Sequence, residues 1–357
     1  MPPLYYLSQE KWRSFLSLLE KDYQIYLPQI TGEKGIPCEF GKGLPKADFK
    51  LAKYVSSKIS ELTFNPYRTI EPLKTFYTFP KEKLTSVDRE ERVAIIGIKN
   101  CDLFSLKIQD YVFLKGVVSD PFYKKRRENT LIISGDCSAF KEVCFCLGME
   151  INPFPEEGFD LNLSFLDDGF LIESGSQKGE EIIEKGRDIF PLASAEKISL
   201  REKKREEIVR KLSEHINLHN LPPLKTLQKI VKEGFDSPIW QEEALRCVEC
   251  GGCNFSCDTC HCFLLSEDRF GSAHEQVRLW DACLYANFAK VAGGANPLRY
   301  RYQRLRNRYL KKFDFFPENV GLVACCGCGR CIEVCPAKID IRNVLRKLSI
   351  ECGIERV

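Results

Sequence analysis

Eight cysteines in the last third of the chain fall into two runs of one spacing. Cys247, Cys250, Cys253 and Cys257 are separated by two, two and three residues; Cys325, Cys328, Cys331 and Cys335, followed by Pro336, repeat the pattern. Thiolates at these intervals are the bacterial ferredoxin arrangement for a 4Fe-4S cubane, in which the last thiolate of each run reaches across to the neighbouring cluster. By that pairing, Cys247, Cys250, Cys253 and Cys335 form one ligand set, and Cys257, Cys325, Cys328 and Cys331 the other. Gly251, Gly252, Gly327 and Gly329 lie inside the runs, where the backbone must turn tightly around such a group. Structural zinc favours paired Cys-x-x-Cys knuckles or mixed Cys/His sets over four thiols in one short run. Two 4Fe-4S clusters are therefore the expected cofactors.

Other cysteines form weaker patterns. Cys101, Cys137, Cys144 and Cys146 make a second constellation, two of them just after expected strands. Four thiols suffice for a third iron-sulfur cluster, with buried structural thiols as the alternative. Cys260, His261 and Cys262 lack a fourth ligand; they are read as lining the first cluster, where thiol and imidazole can tune its potential, or as simple packing. Spacing selects Cys325 over its neighbour Cys326 as a ligand, which leaves Cys326 a small buried hydrophobe. Cys38, Cys283 and Cys352 are isolated and read as structural.

The elements that must position these residues divide the chain in three. At 357 residues it is long enough for about two domains with apolar cores of their own, so its 18 cysteines are not needed as staples. An α/β domain is expected over residues 1–192, with a helix over Ser8 to Leu19, buried strands at Val93 to Ile98 and Leu131 to Ser134, and a hairpin from Leu161 to Glu173 turning at Asp167-Asp168-Gly169. Residues 193–237 read as a charged helical linker with an apolar stripe of Ile198, Ile208 and Leu212. Residues 238–357 read as an α-helical ferredoxin-like dicluster domain, because the long Asp258 to Ala324 insertion between the runs is expected to be helical. There Leu298, Tyr302, Leu305 and Tyr309 recur at four, three and four. The other face of that helix carries Arg299, Arg304, Arg306, Arg308, Lys311 and Lys312 and is read as solvated, with a nucleic-acid surface as the competing reading.

A formal net charge of +3 implies no polyanionic partner for the molecule as a whole. Met1 to Glu10 shows no basic and apolar leader, and no apolar run approaches a membrane span, so a cytoplasmic protein with reduced thiols is expected. No Gly-x-Gly-x-x-Gly following a strand, Walker loop or Ser-His-Asp pattern supplies a nucleotide or hydrolytic site.

Further segments carry a family resemblance: Arg68 to Lys74 (RTIEPLK), Gly97 to Leu103 (GIKNCDL), Asp120 to Asn129 (DPFYKKRREN), Cys144 to Gly148 (CFCLG), Trp280 to Pro297 (WDACLYANFAKVAGGANP) and Phe315 to Ile341 with its CCGCGRCIEVCP. Together they resemble the iron-sulfur beta subunits of soluble hydrogenases and sulfur reductases, and the related first subunit of anaerobic sulfite reductase. Two residues depart from pattern: Asn100 stands where that family tends to have Pro, and Asp258 replaces the Pro expected after Cys257. The resemblance implies an electron-transfer subunit, not catalytic by itself, wired between a flavin/NAD(P)-binding reductase subunit and a catalytic oxidoreductase subunit. The alternatives are a substrate-reducing enzyme acting at a cluster near Cys101 and Cys146, and a zinc or nucleic-acid binding module.

Overall fold

The computed structural model describes residues 3–31, 48–55, 64–84, 91–270 and 273–354, and Cys38 lies outside them. The N-terminal half is built on a sheet in the order β1-β8-β7-β6-β5-β2-β3. Its strands are β1 (Leu4–Ser8), β2 (Gln24–Thr31), β3 (Asp48–Lys53), β5 (Val93–Ile98), β6 (Thr130–Gly135), β7 (Leu161–Leu166) and β8 (Gly169–Ser174); β4 (Lys81–Lys83) pairs elsewhere. The central strands β2, β5, β6 and β7 run parallel, and β7 turns back into β8 through Asp167 and Asp168 as the hairpin pattern anticipates.

Parallel strands covered on both faces must be apolar at every position, and β5 (VAIIGI) is. Ala94 and Ile96 pack toward Trp12, Phe15 and Leu16 of α1 (Trp12–Glu20), whereas Ile95 and Ile98 pack toward Leu103 and Leu106 of α2 (Asn100–Leu114) and Tyr123 of α3 (Pro121–Glu128). Asn100 opens α2, a position that tolerates Pro, and its side-chain amide bonds the carbonyls of Asn152 and Phe154. The helices α4 (Gln177–Lys185) and α5 (Ala195–Asn217) follow, and α5 crosses β7 and β8 with Arg201, Ile208, Leu212 and Ile216 buried.

The C-terminal half is helical: α6 (Leu224–Glu233), α7 (Ile239–Arg246), the single turn α8 (Gly252–Phe255), α9 (Arg301–Leu310), α10 (Phe316–Val320), the single turn α11 (Arg330–Glu333) and α12 (Ile341–Glu351). Trp240, Tyr309, Phe313, Val344 and Leu345 centre its core. Phe145 and Met149 from the N-terminal half, and Leu212 and Ile216 from α5, enter the same core, so the two halves share one apolar interior.

The insertion between the cysteine runs departs from the all-helical expectation. Strands β9 (Phe263–Phe270) and β10 (Ala273–Trp280) form a hairpin, and β10 also pairs with β4. The reason lies far upstream. Arg278 is buried because its guanidinium bonds Glu82 on β4, at 2.8 and 2.5 Å, and Asp120. A charged residue at an inward position, paired with a strand nearly two hundred residues away, hides the alternation from local inspection.

Candidate metal centre

The two cysteine runs fold into matching loops, offset by 78 residues from Cys247 to Cys325. In the first, Glu249 and Gly251 have φ of 58° and 71°; in the second, Gly327 and Gly329 have 64° and 72°. Gly251 and Gly329 then cap the single turns α8 and α11. The amide bonds repeat as well: Asn254 to Gly251 and Ile332 to Gly329, Ser256 to Gly252 and Val334 to Arg330, Cys260 to Cys257 and Lys338 to Cys335. Left-handed residues on either side of the second cysteine curl each loop so that its thiols turn inward.

Cys247, Cys250, Cys253 and Cys335 line one cavity, and Cys331 reaches its wall. Leu284, Leu305, Tyr309 and Ile341 supply the apolar lining; among the described residues no carboxylate faces it and Arg308 is the charged side chain present. Burial pushes the Cys253 thiol up to about 12. Burial raises the Cys325 thiol to about 12 and raises Cys331, and the charge of Cys257 adds to both. Among the described residues no three His, Cys, Asp or Glu side chains close around a single ion. The thiols ring a volume, which suits a polynuclear group whose ligands stand apart, and four thiolates in a dry, carboxylate-free wall have the chemistry for an iron-sulfur cubane.

The cationic face of α9 is not solvated. Arg304, Arg308 and Lys312 are 3%, 4% and 4% exposed, respectively. They recur every four residues and meet a stripe of the same period: Arg304 pairs with Glu249, Arg308 Nη2 donates to the Cys253 carbonyl at 3.3 Å, and Lys312 Nζ lies 3.3 Å from Cys257 Sγ. A π-helical turn over Lys311–Phe315 carries Lys312. Burial works against the charge of Arg308 and Lys312, but the thiols of Cys253 and Cys331 for the first, and Cys257 and Cys260 for the second, hold both above their usual ranges. With three of its six cations turned inward, the helix cannot present the continuous basic face of the nucleic-acid reading.

The second run is locked to the N-terminal half. Arg68 Nε donates to the Cys328 carbonyl at 2.6 Å and its Nη2 pairs with Glu333 at 2.7 Å. Arg330 bridges Asp102 on α2 and Asp258, each at 2.7 Å. Asp258, where ferredoxins carry Pro, also accepts from the Lys74 amide at 2.9 Å, so the departure from pattern builds the joint between halves.

Cys101 opens α2 behind β5, Cys137 follows β6, and Cys144 and Cys146 lie on the loop beyond, at the carboxyl ends of the parallel strands where α/β sheets present their sites. Burial pushes Cys137 up to about 12, with Lys99 opposing and Cys144 adding; burial raises Cys146 too, and Cys144 and Cys137 add to it. Burial and Asp102 raise Cys101, and the charges of Cys328 and Cys137 reach it. The charges of these thiols act on one another, and the loop carrying Cys144 and Cys146 abuts the second run: the Phe145 amide donates to the Gly327 carbonyl at 2.8 Å. Cys326 is buried beside Cys328, within reach of the Cys101 charge.

Cys260 is a hydrogen-bonding neighbour of Cys257, so Cys260, His261 and Cys262 border the Cys257 side. Burial pushes the imidazole of His261 down to about 4. Cys352 packs near α6, with its sulfur 3.9 Å from the Ile230 carbonyl. Cys283, isolated in sequence, was the thiol that spacing could not place: it accepts from Asn254 Nδ2 at 3.1 Å, just behind the first run. The hairpin that brings it there leaves no local periodicity in the sequence.

The 4Fe-4S dicluster domain family matches residues 246–339. Over 299 residues the chain is 34% identical to the sulfhydrogenase 2 subunit beta of Pyrococcus furiosus, an alignment that spans 81% of this chain and 86% of that protein. The chain therefore belongs to the sulfhydrogenase beta-subunit family, as an iron-sulfur protein with a 4Fe-4S dicluster domain.

Proposed function

We propose that this chain is a non-catalytic electron-transfer subunit of an oxidoreductase complex. Its α-helical ferredoxin-like domain holds one 4Fe-4S cluster on Cys247, Cys250, Cys253 and Cys335 and a second on Cys257, Cys325, Cys328 and Cys331. A third iron-sulfur cluster sits on Cys101, Cys137, Cys144 and Cys146. The partners are a flavin/NAD(P)-binding reductase subunit and a catalytic subunit of the hydrogenase, sulfur reductase or sulfite reductase kind, in a reducing cytoplasmic setting. The observation that carries the reading is the first cavity: thiols from two runs about eighty residues apart meet on an apolar wall with no carboxylate among its described residues.

Bound in these sites, the clusters supply one-electron transfer without bond chemistry. The chain's own residues do the rest. Thiolates fix each group, Leu305 and Tyr309 keep water away, and Arg308 and Lys312 balance negative charge that water cannot reach. The N-terminal thiols, carried beside the second run by the Phe145 to Gly327 bond, extend the path through the molecule.

Iron and acid-labile sulfide per chain, measured on anaerobically purified protein together with EPR after reduction, test this reading. About four iron atoms are expected for each cluster, and the total is expected to fall by about four when Cys137 and Cys144 are replaced together. Zinc without iron would remove the central claim, and turnover by the isolated chain with an artificial electron donor would make it an enzyme instead.

A further inference from the structure

The β9–β10 hairpin closes with Phe263 opposite Trp280, and the Asp281 amide continues the ladder to the Cys262 carbonyl at 2.9 Å. Two segments distant in sequence, Cys260 to Cys262 and Asp281 to Cys283, are thereby set side by side at the hairpin's base. Asn254 Nδ2 bridges them, donating to Cys283 Sγ at 3.1 Å and lying 3.7 Å from Cys260 Sγ. Cys260, Cys262 and Cys283 all line a cavity of about 330 Å³ that also takes in Arg308, Lys311 and Lys312. Phe315, Phe316 and Val320 complete its apolar side, and among the described residues no carboxylate faces it.

This lining shares with the dicluster cavity several thiols, Arg308 and the lack of an acid among the described residues. Arg308 and Lys312, which also face Cys253 and Cys257, leave this lining cationic and able to accept an anionic occupant. Three thiols call for a soft metal. The volume exceeds what one ion needs, and no three ligating side chains among the described residues close around a single ion. Arg308, which lines both this cavity and the dicluster cavity, is buried with its Nε lacking a hydrogen-bond partner. His261 is bonded through Nδ1 to the Thr259 carbonyl at 3.1 Å, which leaves Nε2 as the atom free to ligate.

We propose that this cavity holds a further iron-sulfur cluster, ligated by Cys260, Cys262 and Cys283 with His261 Nε2 as the fourth ligand, and coupled to the neighbouring site at Cys257. The site is separate from both dicluster ligand sets and from the N-terminal thiols, so it lengthens or branches the electron path toward the β9–β10 side of the molecule. Cys257 and Cys260 are hydrogen-bonding neighbours, and Lys312 Nζ stands between this cavity and Cys257 Sγ, so no long gap intervenes.

Anomalous scattering at the iron edge from crystals of the anaerobically loaded full chain decides the matter without any variant. Iron within bonding distance of Cys260, Cys262 and Cys283 supports the proposal. Iron in the dicluster cavities but not here, or scattering here at the zinc edge alone, overturns it while leaving the dicluster reading intact. In solution, the Cys262→Ser/Cys283→Ser variant is expected to lose about four iron atoms per chain while the reduced dicluster EPR signals persist. Unchanged iron content would overturn the proposal as well, and if that variant fails to fold the wild-type crystal still answers.

Discussion

Lys312 shows how one residue's role inverts between sequence and structure. In the sequence it is one of six cations on a helix face. In the fold it is buried, with Nζ on Cys257 Sγ, the Thr259 hydroxyl and the Ala324 carbonyl. A hydrogen bond from a cation to a cluster thiolate favours the reduced, more negative state. Charge-assisted bonds contribute about 1.5 kcal/mol or more, which in a one-electron couple is on the order of 60 mV. Lys312→Met is therefore expected to make the potential of the cluster on Cys257 more negative by that order in an EPR-monitored redox titration, and an unchanged potential would show that Lys312 serves packing alone. The dicluster domain over residues 246–339 is legible from the repeated cysteine spacing because those intervals are local. What holds Lys312 is not: its partner lies fifty-five residues upstream, a relation no periodicity encodes.

At the scale of elements, what was legible follows the same division. Strands β5 and β6 and the β7–β8 hairpin declare themselves through unbroken apolar runs and a turn of Asp, Asp and Gly. Helix α9 declares itself through its spacing. The β9–β10 hairpin does not, because Arg278 occupies an inward position and its counter-charges sit on β4 and before α3. The matching loops around the two cysteine runs offer a direct test of how tightly the halves are joined. Gly329 and Gly321 both have positive φ, but a Cβ on Gly329 would press into the backbone of Val143, whereas one on Gly321 meets open space. Gly321→Ala is expected to cost about 1 kcal/mol from backbone conformation alone. Gly329→Ala should cost several times more and displace the loop carrying Cys144 and Cys146, read as a larger fall in the thermal midpoint of loaded protein; equal losses would mean that this contact does not bind the halves together.

Over the whole molecule, the division of the sequence at residues 192 and 237 meets a core that both halves fill. Phe145, Met149, Leu212, Ile216, Leu227 and Ile230 contribute to the same cluster as Trp240 and Leu345. A fragment of residues 238–357 would expose the apolar surface those side chains cover, so it is expected to aggregate or remain unfolded even with iron and sulfide supplied. Recovery of a soluble, brown, helical fragment by circular dichroism would show that the shared core is dispensable. Graded burial also sets how the molecule ages in air. Cys250 is exposed, whereas Cys325 and Cys328 are buried. Corrosion by dioxygen should therefore begin at the first run and proceed inward. Under limited aeration, iron loss and alkylation should appear at Cys250 before Cys325 or Cys328, so a briefly exposed sample is a molecule with one end of its path cut and the inner stretch still conducting.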